Sequence, residues 1–129
     1  MKLTPVLVMD ELETSIPFWV DRMGFTRTVE VPEGDRLGFV ILTHGAAELM
    51  LQCTESVRKD EPAFLPRSGS SAANIFIEVD DFADTLQRLD GYPVAMPVRH
   101  TFYGTQEIGV RDPAGNVVIF AAPAPNAAK

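Results

Sequence analysis

The stretch Glu107 to Pro123, EIGVRDPAGNVVIFAAP, decides the fold. It reads as a short strand, a tight turn and a second strand. Asp112-Pro113-Ala114-Gly115 has the chemistry of a type I turn. An Asp at the first position bonds amides ahead of it, a Pro at the second presets φ, and a Gly at the fourth accepts the left-handed conformation that returns the chain. The flanks, Ile108 to Arg111 and Val117 to Ala121, are short, β-branched and mostly apolar, so the unit reads as a hairpin. Three or four such residues fit any hairpin. What lifts this one is its company: Tyr103-Gly104 upstream, Glu107 in the first strand, and an earlier half of the chain that repeats the same order of elements.

Upstream of the hairpin, Asn74 to Val79 reads as a strand ended by Asp80-Asp81. Phe82, Leu86 and Leu89 follow at helical spacings of four and three, with a stop near Gly91, and Pro97 to Tyr103 is a further strand candidate. The first half has the same layout. Thr4 to Met9 is a strand ended by Asp10-Glu11, and Leu12, Ile16, Trp19 and Met23 form one helical face. The helix is expected to start near Thr14 or Ser15, with Pro17 in its first turn and Gly24 as its stop. Three strands follow: Thr26 to Val31, Leu37 to Thr43 and Ala47 to Cys53, separated by turns at Pro32-Glu33-Gly34-Asp35 and His44-Gly45. An offset of 70 residues superposes the halves without a gap, pairing Thr4 with Asn74, Asp10-Glu11 with Asp80-Asp81, Leu12 with Phe82, Ile16 with Leu86 and Trp19 with Leu89. Both halves then read strand, helix, strand, strand, strand, two copies of one supersecondary unit. Between them, Thr54 to Ser71 is charged, Pro-containing and Ser/Gly-rich, and reads as a linker or mobile loop. The expected layout is one domain over residues 1–129, with module one at 3–53, a linker at 54–72, module two at 73–122 and a frayed tail at 123–129.

The 129 residues are enough chain for a real core. The apolar fraction of 46% and charged fraction of 22% are ordinary for a soluble protein, and no apolar run is long enough for a membrane span. The N-terminus lacks a secretory leader pattern, and the single Cys53 permits no internal disulfide or cysteine metal cluster, so a cytoplasmic protein is expected. The formal charge of −7 disfavours a nucleic-acid backbone binder and suits either solubility or attraction of a cationic ligand.

With these residues in view, the chain resembles the vicinal oxygen chelate superfamily, which includes glyoxalase I, extradiol dioxygenases, fosfomycin-modifying enzymes and bleomycin-resistance proteins. The carrying stretches are TPVLVMDELETSIPFWVDRMGF (Thr4 to Phe25), NIFIEVDDF (Asn74 to Phe82) and YGTQEIGVRDPAGNVVIFA (Tyr103 to Ala121). The resemblance implies an α+β fold: two tandem βαβββ modules whose mixed sheets form a cup with helices outside, and a homodimer. It also implies four inward positions, on the first and last strands of each module, where metal-dependent members carry His, Glu or Gln. The matching positions here are Thr4 (or Leu3), Met50 or Gln52, Asn74 and Ile119. Asn74 stands where the family often has His, and Ile119 where it often has Glu. Two neutral amides, Gln52 and Asn74, are the best oxygen donors on offer, so no metal and no cofactor are expected.

Strand parity gives an inner face. Packing Ile75, Ile77 and Val79 on the helix turns Asn74, Phe76 and Glu78 inward. The same reasoning turns Glu48, Met50 and Gln52 inward, then Glu107 and Gly109, with Val117 and Ile119 along the last strand, Tyr103 at the rim, and His100 and Phe102 facing in. Glu48, Met50, Gln52, Asn74, Phe76, His100, Phe102, Tyr103, Glu107 and Ile119 are therefore the candidate ligand contacts. Glu107 reads equally as a structural hydrogen-bonding group and as a ligand contact; if it is buried beside apolar residues, its pKa rises and it could act as a base. His100 reads first as a structural histidine, then as a ligand contact. Asp112, Gly115 and Asn116 read as turn residues, Trp19 as core, His44 as exposed and Cys53 as inert. The favoured function is metal-free binding of a small organic ligand, a cation among the options, in the manner of the bleomycin-resistance branch, for antibiotic or toxin sequestration, with no nucleic-acid or membrane partner. The alternative is a divalent-metal-dependent lyase, isomerase or dioxygenase using an unusual set such as Glu48, Gln52, His100 and Glu107. A scaffold without a ligand is the third reading.

Overall fold

In the computed structural model, residues 1–65 and 72–125 are described. The chain divides into two compact units, Met1–Ser71 and Ala72–Lys129. In the first unit, β1 (Val6–Met9) is followed by a 3₁₀ turn (Leu12–Thr14), a π-helical turn (Pro17–Arg22), β2 (Thr26–Glu33), β3 (Arg36–His44), β4 (Ala47–Cys53), α1 (Thr54–Asp60) and a second 3₁₀ turn (Pro62–Phe64). In the second, the order is β5 (Asn74–Glu78), α2 (Phe82–Arg88), β6 (Val94–His100), β7 (Thr105–Arg111) and β8 (Val117–Pro123). Each unit holds one four-stranded mixed sheet. The strand orders, β1-β4-β3-β2 and β5-β8-β7-β6, are the same topology, so the repeat read from the sequence is present in the fold. In both, the first strand runs parallel to the last, and the remaining pairs are antiparallel.

The hairpin forms as its residues dictate. Gly115 N–H donates to Asp112 O at 3.0 Å, and Gly115 sits at φ +92°, where a side chain would be strained. Asp112 Oδ1 accepts from the amides of Ala114 (3.1 Å) and Asn116 (2.8 Å). Asn116 Nδ2 donates back to the Asp112 carboxylate, while its Oδ1 accepts from Ala73 N–H at 2.8 Å. The turn thereby also fixes where β5 begins.

The stripe Leu12, Ile16, Trp19 and Met23 is buried as expected, but it is not a regular α-helix. Pro17 has no N–H to offer, so the helical turn starts there, with no side-chain cap on Ile16; the Ser15 hydroxyl instead donates to Met9 Sδ at 3.1 Å. The turn then widens: Met23 N–H donates to Phe18 O at 3.0 Å, a five-residue step. The extra residue brings Phe18 into the core beside Trp19, with ring centroids 5.0 Å apart and edge to face. Around them Leu7, Val40, Leu42 and Leu51 close the core of the first unit, each burial contributing roughly 1.5–3 kcal/mol. In the second unit α2 is a regular helix capped by Asp81, whose Oδ1 accepts from Asp84 N–H at 2.9 Å. Phe82 and Leu89 are buried as expected; Thr85 takes the covered position beside them and Leu86 is only half-buried.

Several boundaries differ from expectation. Thr54 to Ser71 is not an unstructured connection throughout: α1 opens it, because Cys53 Sγ accepts from Ser56 N–H at 3.4 Å, Val57 is fully buried, and Glu55 and Arg58–Lys59 match the helix dipole. Residues 66–71 of that stretch lie outside the described residues. Cys53 is thus a buried helix cap. The strand expected at Pro97 to Tyr103 begins three residues earlier and ends at His100; its Pro97 is tolerated because β6 is an edge strand. The tail is ordered further than expected, since Pro123 belongs to β8 and Ala124 N–H donates to Gly104 O at 2.9 Å; residues 126–129 lie outside the described residues. No helix among the described residues is long and apolar enough to cross a membrane.

Candidate functional site

Register places the candidate side chains. In the second unit Glu78, Ala121, Glu107 and Arg99 lie side by side in one row across β5, β8, β7 and β6. Phe76, Ile119, Gly109 and Met96 form the next row on the same face, and Asn74 pairs with Val117 beyond it. His100 pairs with Gln106, one step along, so it belongs to the opposite face. The expectation of an inward His100 is corrected: Arg99 takes that place. The hairpin itself carried the signal. With the turn centred on Tyr103, Arg99 and Glu107 are equidistant from it, and opposite charges on facing strands favour one another.

Glu107 is fully buried. Its Oε1 accepts from Arg99 Nε (3.2 Å) and Nη2 (3.0 Å). Its Oε2 accepts from Tyr103 OH and Thr105 Oγ1, both at 2.9 Å. Burial is the largest single influence on its pKa and pushes it up, but the bonds from Tyr103, Thr105 and Arg99, with the guanidinium charge, together outweigh it and hold the carboxyl below its ordinary value. The conditional rise in pKa is therefore not what its surroundings give, and the structural hydrogen-bond reading of Glu107 is the one the geometry supports: its carboxylate has its acceptor sites filled. The β6–β7 loop, Thr101 to Gly104, is pinned as well. Thr101 N–H donates to Thr105 O at 2.8 Å, and the two threonine hydroxyls meet at 2.7 Å. Its tip carries Phe102, wholly exposed, and Tyr103, with ring centroids 5.1 Å apart.

That loop overhangs a recess of about 760 Å³, contained within the second unit. Its walls include Phe76, Glu78, Asp80, Phe102, Tyr103 and Thr105, with Ala121 and Ala122 along β8. The volume falls in the ~300–1,000 Å³ range of small-molecule sites. Of the expected contacts, Phe76, Phe102 and Tyr103 line this recess, and Glu107 underlies two of its wall residues. Asn74 and Ile119 share the sheet face without lining it. Asp80, Thr105 and Arg99 were missed: Asp80 read as the punctuation that ends its strand, Thr105 was given no role, and Arg99 was displaced by the parity assigned to His100.

In the first unit the corresponding face carries Glu48, Met50 and Gln52. Glu48 accepts from Thr4 Oγ1 at 2.8 Å and pairs with Lys2 at 3.0 Å. The Lys2 bond first, then the Thr4 bond, lower its pKa. Gln52 Nε2 donates to Ser56 Oγ at 3.1 Å, so it serves the start of α1.

With fold and site in place, the comparisons with known proteins define a class. Residues 3–120 match the family model described as Glyoxalase/Bleomycin resistance protein/Dioxygenase superfamily. The chain belongs to that superfamily. Among solved structures it is similar to TioX from Micromonospora, with a TM-score of 0.77 at 18% identity, covering 95% of this chain and 98% of that one. A lactoylglutathione lyase from Agrobacterium tumefaciens gives 0.71 at 20% identity, covering 95% and 92%. A glyoxalase/bleomycin resistance protein/dioxygenase family enzyme from Burkholderia phytofirmans gives 0.74 at 16% identity, covering 93% and 96%. No curated protein shows significant sequence similarity to the chain.

The metal that such membership implies can be tested against the residues. The seventy-residue offset matches Thr4 with Asn74 and Val6 with Phe76; since Val6 pairs with Met50 and Phe76 with Ile119, Met50 rather than Gln52 is the counterpart of Ile119. The two positions in the first module are a hydroxyl and a thioether, and the two in the second an amide and a hydrocarbon. A hard divalent ion asks for carboxylate, imidazole or carbonyl donors, and this set does not fit one. Among the described residues, no group of three or more His, Cys, Asp or Glu is arranged to hold a metal.

Proposed function

We propose that this protein binds a small organic cation in the recess of its second module, without a metal, and acts by sequestration. One observation carries the reading: three aromatic rings, Phe76, Phe102 and Tyr103, share the recess with two carboxylates, Glu78 and Asp80. Aromatic faces attract a cation by about 0.5–2 kcal/mol each, and the carboxylates supply the opposite charge. Glu107 adds no charge to the balance, because Arg99 neutralises it. The net charge of −7 favours the approach of a cation at long range.

Calorimetric titration with benzyltrimethylammonium, beside phenylacetate as an anion of similar shape, tests this. The expected result is saturable binding of the cation alone, weakened by salt and by Glu78→Gln with Asp80→Asn. No heat with millimolar cation, or preference for the anion, overturns it. Titration with a bleomycin-type glycopeptide tests the antibiotic version separately. A divalent metal retained stoichiometrically through purification, measured by elemental analysis, would favour a metal-dependent lyase, isomerase or dioxygenase instead.

A further inference from the structure

We propose that Glu107 is a positioning residue for the recess: from the same sheet face, beside the recess, it holds Tyr103 and Thr105, two wall residues, by their hydroxyls. The geometry carries this. One carboxylate oxygen takes both hydroxyls at 2.9 Å, and the other takes both Arg99 nitrogens. The carboxylate itself is buried and does not line the recess. It therefore acts on a ligand through Tyr103 and not by contact.

The arrangement has a division of labour. Burying a carboxylate is costly unless its acceptor sites are filled, and Arg99 offsets most of that cost from a half-exposed position. The remaining oxygen is then committed to orienting the loop. A tyrosine half exposed on a loop tip would otherwise sample several rotamers, and each ring held in one of them raises affinity by saving the entropy of ordering it. Tyr103 is thus held by its hydroxyl, with Phe102 packed edge-on against it.

The proposal rests on the cation-binding reading for its ligand arm and on the protein alone for its spectroscopic arm. The chain has two tyrosines, Tyr92 and Tyr103, so ring-labelled tyrosine gives two assignable sets of NMR signals. In Glu107→Gln, whose amide keeps the shape and one acceptor, the Tyr103 ring signals should shift and broaden while those of Tyr92 stay in place. Unchanged Tyr103 signals in a folded Glu107→Gln protein overturn the proposal. In the ligand arm, Glu107→Gln and Tyr103→Phe should each weaken benzyltrimethylammonium binding about three- to tenfold, the loss of one hydrogen bond's ordering. The double variant should be no weaker than either single one, because both remove the same link. Additive losses mean that Glu107 acts independently of Tyr103, and overturn it. If wild type binds no cation, the functional reading fails while the ring signals still decide the role of Glu107.

Discussion

The same row of the same sheet can be read in both modules. In the first it is Val8, Gln52, Phe39 and Val31; in the second it is Glu78, Ala121, Glu107 and Arg99. Phe39 and Glu107 are counterparts, as are Val31 and Arg99. The opposite face of each sheet is built alike, with Val40, Leu42 and Leu51 in one and Ile108, Val110, Val118 and Phe120 in the other. The duplicated scaffold is preserved where it meets its own core, and the copies differ on the other face, where this row is mostly apolar in the first module and holds the Glu107–Arg99 pair in the second. A second contrast lies in the helical segment after the first strand. The first module uses a widened π turn with Phe18 and Trp19 buried, whereas the second uses a capped α-helix.

The largest effect should come from that helical contrast. Trp19→Ala empties the most voluminous fully buried position and should cost about 3–5 kcal/mol, read as the shift in urea unfolding at constant slope. Its counterpart Leu89→Ala should cost less. Equal losses would mean that the π turn gives the first module no distinctive core. The second effect tests the polar row. Arg99→Met leaves the buried Glu107 with two hydroxyl donors and no counter-charge, and should destabilise by about 2 kcal/mol, below the ~3–5 of a fully enclosed pair because the guanidinium is 53% exposed. Val31→Met, at the matching position of the first module, should lie within ~0.5 kcal/mol of wild type. The smallest effect is in pH dependence. Glu107 has a folded pKa below its unfolded one, so its contribution is present above the ordinary glutamate range near ~4.3 and is lost as pH falls through the folded value. Glu107→Gln should flatten the acid limb of the stability curve by at most one proton per molecule. Glu13 and Glu48 in the first module, also lowered, keep the remainder. An unchanged acid limb would show that Glu107 binds its proton equally in both states.

The hairpin, the repeat and both cores were legible because each is written in local spacing. Asp112 to Gly115 specify their own turn, and the offset between Leu12 and Phe82 needs no knowledge of packing. The π turn was not legible, because Leu12, Ile16, Trp19 and Met23 fit an α-helix equally well, and only the added burial of Phe18 reveals the wider step. Helix α1 was masked by composition, since TESVRKD is polar apart from Val57 and its cap is a cysteine sulfur. The site was half legible. Parity put Phe76, Glu78 and Glu107 on one face, but the sign of the Glu107 shift depended on the joint bonds from Tyr103, Thr105 and Arg99, and a parity count cannot see the register shifts in β6.

The parallel pairing of first strand with last has a consequence for how the chain is made. β1 has β4 as its sheet neighbour, and β5 has β8. As the polypeptide leaves the ribosome, the opening strand of each module must wait until the closing one has emerged, while β2, β3 and their counterparts can zip in order behind it. Each half is therefore finished by its newest residues, and a chain that stops before Ala47 or Val117 leaves the opening strand of that module without its sheet neighbour.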